Sequence, residues 1–87
     1  MSKKFYFNTD NDDCDLDPNG TEFDSVDQAR RESIALAGEL LMNGSGDVLL
    51  RGRSLKVWVT DGAGGSGRTL FSIQVSASDG DPESYKS

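Results

Sequence analysis

Residues 4–8 read Lys-Phe-Tyr-Phe-Asn, so Phe5 and Phe7 alternate with Lys4, Tyr6 and Asn8. A period of two marks a strand with one face toward a core. Farther along, the period lengthens. Val26, Ala29, Ser33, Ala37, Leu40 and Leu41 fall on one side of a helical wheel, with Ile34 and Leu36 on its flanks. Asp27, Gln28, Arg31, Glu32 and Glu39 fall on the other side, the signature of an amphipathic helix. Ser25 and Gln28 fit a capping box at its start, and Asp24 and Asp27 suit the positive end of its dipole. Asn43-Gly44 ends it. Strand alternation then returns twice. Leu55, Val57 and Val59 alternate with Lys56, Trp58 and Thr60, and Phe71, Ile73 and Val75 share one face of residues 69–76. The short glycine-rich linker between these runs predicts an antiparallel hairpin. Residues 21–23 could add a short second strand. Residues 47–50 fit a loop or one more helical turn.

The expected fold is therefore α+β. The order is ββαββ, or βαββ without the second strand: a mostly antiparallel sheet of three to four strands with one amphipathic helix packed on one face. Residues 1–76 form a single domain, and residues 77–87 have the composition of a flexible tail.

Charge changes this picture at one place. The 87 residues hold 9 Lys+Arg and 15 Asp+Glu, a net charge of -6, and residues 8–27 alone hold eight of the acids and no base. A chain without a basic footprint is a poor partner for nucleic acid or for anionic lipid. A nucleic-acid contact through Arg51, Arg53, Lys56 and Arg68 would have to override that average. No apolar run approaches the ~20 residues of a membrane span. There is no His, and the single cysteine, Cys14, lies between Asp13 and Asp15, which disfavour its thiolate. One cysteine also fits a reduced, cytoplasmic compartment. No enzyme activity and no organic cofactor are expected.

Within the acidic segment, Asp15-Leu16-Asp17-Pro18-Asn19-Gly20 matches the first half of a calcium loop. The ligand set would be Asp13, Asp15, Asp17, Asn19 and Asp24. The second half fails, because position twelve is Val26 and a strand rather than a helix leads in. A plain solvated turn is the competing reading, since Pro18 presets φ and Gly20 permits a positive one. Gly62-Ala63-Gly64-Gly65-Ser66-Gly67 spells G-x-G-x-x-G, but a strand follows it. A dinucleotide site needs a helix there, so an open hairpin loop is expected instead.

These segments together resemble a family of short bacterial proteins, frequent in rhizobia and their relatives, classed as a domain of unknown function. The resemblance rests on the basic-aromatic strand Lys4-Phe5-Tyr6-Phe7 and the turn Asp17-Pro18-Asn19-Gly20-Thr21-Glu22. It also rests on Ala29-Arg30-Arg31-Glu32 in the helix and on Val59-Thr60-Asp61-Gly62-Ala63-Gly64 in the hairpin. It covers residues 3–76. The longer Asp run, Asn43-Gly44-Ser45-Gly46 and the extra hairpin glycines depart from the pattern. The resemblance implies the fold and a cytoplasmic bacterial setting, and brings no activity with it.

If the apolar strand residues face the helix, Tyr6 and Trp58 point the other way, beside Lys4, Lys56, Thr60, Ser72 and Gln74. Aromatic residues are enriched where proteins meet. The expected function is a non-catalytic protein-interaction module that forms a homodimer or binds an unidentified protein partner, with Tyr6, Trp58 and Lys56 in the interface. Arg51, Arg53 and Lys56 could meet the acidic loop of a second copy, with a solvated basic turn as the competing reading. The alternative is a weak Ca²⁺-binding domain built on residues 10–24.

Overall fold

The computed structural model describes residues 2–78 and 80. The chain opens with β1 (Lys3–Asp10), then β2 (Cys14–Asp15) and β3 (Thr21–Phe23). Helix α1 (Val26–Leu40) follows, and a short helix α2 (Gly46–Leu50) leads to β4 (Leu55–Thr60) and β5 (Thr69–Val75). Among the described residues all pairings are antiparallel, and the sheet has five strands in the order β2-β1-β4-β5, with β3 also on β1. The fold is α+β as expected, with more strands than the three to four read from the sequence. The extra one is β2. Two exposed residues, Cys14 and Asp15, fold back on Asp10 and Thr9 and carry no hydrophobic period.

Helix α1 begins as its cap residues dictate. The Ser25 hydroxyl accepts from the Gln28 N–H at 3.2 Å, and the Gln28 side chain accepts from the Asp24 N–H at 2.9 Å. The return bond thus reaches one residue farther back than in a standard capping box. At the other end Asn43 and Gly44 leave helical geometry, Gly44 at φ 114, inside a wide turn over Leu41–Ser45. The chain then regains helix for one more turn in α2, where Val48 is buried.

Small residues face the sheet. Ala29, Ser33 and Ala37 are the buried positions of α1, and they let the helix lie close to the strands. The buried Ser33 hydroxyl is satisfied by the Arg30 carbonyl at 2.6 Å. The core has two parts. Phe5, Ala29 and Val59 form one, with Phe7, Phe23 and Leu70 packed around them. Ala37, Leu55 and Val57 form the other, with Leu36, Leu40, Leu41, Ile73 and Val75. Since Val59 pairs with Phe71 and Leu55 with Val75, α1 runs in the same direction as β5. Residue 79 and the expected tail from 81 onward lie outside the described residues.

Candidate interaction site

Asp17 shows why the acidic segment folds as it does. The second edge of β1 is covered in two pieces, by β3 against Lys3, Lys4 and Phe5 and by β2 against Thr9 and Asp10. Between them the Phe7 N–H has no strand to pair with. The Asp17 carboxylate fills the gap, accepting that N–H at 3.1 Å on one oxygen. Its other oxygen accepts from Asn19 and Gly20 at 3.0 and 3.1 Å. Partial burial pushes the carboxyl upward, but the N–H groups of Gly20, Asn19 and Phe7 together hold it below the ordinary aspartate value.

A buried amide sits next to it. Asn8 is 0 % exposed. Its carbonyl oxygen accepts the Asp17 N–H at 3.0 Å, and its amide donates to the Thr60 hydroxyl at 3.2 Å. Longer contacts of 3.4 Å reach the carbonyls of Tyr6 and Trp58. Thr60 in turn donates to the Gly62 carbonyl at 2.9 Å. The Gly64 N–H closes the circuit on the Asp17 carbonyl at 2.8 Å. The glycine-rich loop, expected to be open, is thus strapped to the acidic turn. Gly64 lies at φ 64, a conformation that L side chains rarely adopt. Among the described residues no buried side-chain nitrogen or oxygen lacks a partner. Sequence reading missed Asn8 and Thr60. The one available signal was a polar residue where strand alternation meets a turn, and that pattern is too common to point at a core.

The residues expected to hold calcium do not converge. Among the described residues no three His, Cys, Asp or Glu side chains are grouped to hold a metal ion. Asp17 faces inward on backbone N–H groups, while Asp13, Asp15, Asn19 and Asp24 stand exposed on the turn and its flanks. Part of the basic cluster is paired within the chain. Arg53 pairs with Asp12 of its own chain at 2.6 Å, and Arg51 approaches the same carboxylate at 3.6 Å. These two arginines therefore already have an acidic partner within the chain. Both are well exposed, so the pairs contribute at most about 1 kcal/mol each.

Tyr6 and Trp58 share the face away from α1, as the alternation requires, since Tyr6 pairs with Thr60 and Asn8 with Trp58. Neither is bare. A Cβ on Gly20 would come within 2.8 Å of the Tyr6 ring, so the ring lies directly on that glycine. The Lys56 ammonium stands 5.0 Å from the centre of the Trp58 ring, within cation–π range. Both aromatics are half-buried within the single chain.

The opposite rim of the sheet is less covered. β5 is its terminal strand, paired through Val75, Gln74, Ile73, Ser72, Phe71 and Thr69 to β4. Phe71, Ile73 and Val75 are half-buried on the helix side. The Arg30 guanidinium lies 5.7 Å over the Phe71 ring. One turn on, Ile34 is 56 % exposed. An apolar strip thus runs along this rim, made of one side of α1 and one face of β5.

Residues 4–76 match a protein family described as a domain of unknown function, DUF6894. No curated protein and no solved structure matches the chain.

Proposed function

The chain belongs to the DUF6894 family, a domain of unknown function, and on that premise we propose that it is a non-catalytic interaction module that binds a second copy of itself. The observation that carries this reading is the apolar rim: Ile34, Phe71, Ile73 and Val75 keep part of their surface in water beside a strand edge that no described residue pairs with. A domain this small buries only about 60–65 % of its unfolded surface, so covering such a strip adds a meaningful share of its hydrophobic stabilisation. The non-catalytic part is supported by how the inward polar groups are used. Asn8, Asp17 and Thr60 are all engaged by the chain's own backbone and by one another. Groups engaged in this way hold a loop in place. A bacterial, cytoplasmic setting belongs to the same proposal, supported by the exposed free Cys14.

Sedimentation equilibrium from micromolar to millimolar protein tests this reading. A mass rising from monomer to dimer with concentration is expected. A monomer at every concentration would remove the proposal.

A further inference from the structure

We infer that the second copy docks edge to edge on β5, antiparallel about Ser72, so that one sheet continues across both chains. This rests on the self-association proposed above and adds where and how it occurs.

Among the described residues, nothing pairs with the outer edge of β5, whose backbone donors and acceptors form a template for another strand. Natural edges are usually protected by charges, proline or a distortion that spoils pairing. Thr69–Val75 contains no charged residue and no proline. Its one irregularity lies at the start, where Leu70 is the extra residue between the Val59–Phe71 and Thr60–Thr69 pairs. From Phe71 to Val75 the strand is regular, and among the described residues its outer edge has no strand against it.

The sequence of β5 is self-complementary in this arrangement. A two-fold axis at Ser72 sets Phe71 opposite Ile73 of the second copy, and Ile73 opposite its Phe71. Both residues lie on the helix side, so the pair is aromatic against β-branched, a favourable cross-strand combination. The small Ser72 meets itself. Because the axis stands perpendicular to the sheet, both helices fall on the same face. Ile34 follows Arg30 by one turn on a helix that runs alongside β5 in the same direction, which sets it level with the Phe71–Ile73 pair. The exposed isoleucine of each chain therefore borders the join. A dimer of this kind is isologous and closed, with no free β5 left to propagate a fibre.

Charge favours the same edge. The acid-rich segment, residues 8–27, supplies β2, β3 and the turns around them, which all lie on the far side of β1. Two copies meeting at β5 keep these segments at opposite ends of the joined sheet. Meeting at the other rim would bring them together, and like charges there would repel.

Ser72→Lys tests the inference. Ser72 is exposed and lies across from Trp58, so a lysine fits the single chain while setting two ammonium groups face to face at the join. The variant is expected to weaken dimerisation by about tenfold or more in sedimentation equilibrium, with an unchanged circular dichroism spectrum. Amide hydrogen exchange on the wild-type chain gives a second measure, independent of how the variant folds. Phe71 and Ile73 already bond to β4, so the informative amides are the outward Ser72 and Gln74, whose protection should rise with protein concentration. A dimer that survives Ser72→Lys, with exchange at Ser72 and Gln74 indifferent to concentration, overturns the β5 join and leaves self-association standing. Strong protection of these two amides in the dilute monomer would mean that the chain covers this edge itself and would also overturn the join. A wild-type monomer at millimolar concentration removes both readings.

Discussion

Asn8 is the residue on which most of the polar interior depends. Replacing it with Ala leaves the Asp17 N–H and the Thr60 hydroxyl without their buried partner. Losing a partner inside a core costs about 1–3 kcal/mol per group left unsatisfied, more than a bond's net contribution at the surface. Asn8→Ala should therefore lower unfolding stability by about 1–3 kcal/mol or more, measured by urea titration. A loss below about 0.5 kcal/mol, the range of ordinary surface substitutions, would contradict the role given to Asn8. Asp17 adds a pH dependence. Its carboxyl titrates below the ordinary value in the folded chain, so the folded state favours the charged form. That contribution is complete above the unfolded aspartate value of about 4 and fades as pH falls through the lower folded value. Asp17→Asn should be less stable than wild type at neutral pH, and the gap should narrow below about pH 4. Urea midpoints for both proteins between neutral pH and pH 3 check this, and a constant gap would count against it. Neither residue's role was legible beforehand. Asp17 sits in a turn motif that fits a cation ligand as well as a backbone acceptor, and only the split pairing along β1 decides between them.

At the level of elements, the periodic signals carried the most information. The strands at 3–10, 55–60 and 69–75 and the helix at 26–40 follow directly from spacing of two and of three to four. β2 did not, because two polar residues contain no period. The glycine-rich segment was misleading for a different reason. Composition suggested an open loop, yet a bond between Gly64 and Asp17, distant in sequence, closes it. The cap of α1 was readable, and it supports a prediction of its own. Ser25→Ala removes the acceptor for the Gln28 N–H while leaving Gln28 bonded to Asp24. The expected loss is about 1 kcal/mol, with fraying confined to the first turn. Thermal denaturation with amide exchange at residues 26–29 measures it, and a loss beyond about 2 kcal/mol would mean that Ser25 does more than cap.

Across the whole molecule, the two rims of the sheet have opposite characters. One is crowded: β2, β3, Asp17 and the Arg51–Asp12–Arg53 cluster consume the outer edge of β1 and much of the acidic segment. The other ends on a neutral strand beside an exposed isoleucine. The sequence showed apolar residues on β5 but could not show that this strand is terminal, because strand order depends on pairings far apart in the chain. Alternation placed Tyr6 and Trp58 on the correct face, but could not show one ring on Gly20 and the other beneath Lys56.

The bond between the Gly64 N–H and the Asp17 carbonyl also bears on where this protein can be altered. A run of glycines is the usual first choice for inserting a peptide tag or a fluorophore. Here it is among the worst places, because lengthening it pulls the hairpin off the acidic turn and unseats Asn8 behind it. The break after α1 is better suited. Met42, in the turn before Gly44, is 87 % exposed, and an addition beside it leaves the glycine and its φ of 114 in place. An addition there leaves the bond from Gly64 to Asp17 untouched, so the segment that composition marks as spare and the one suited to cargo are different parts of the chain.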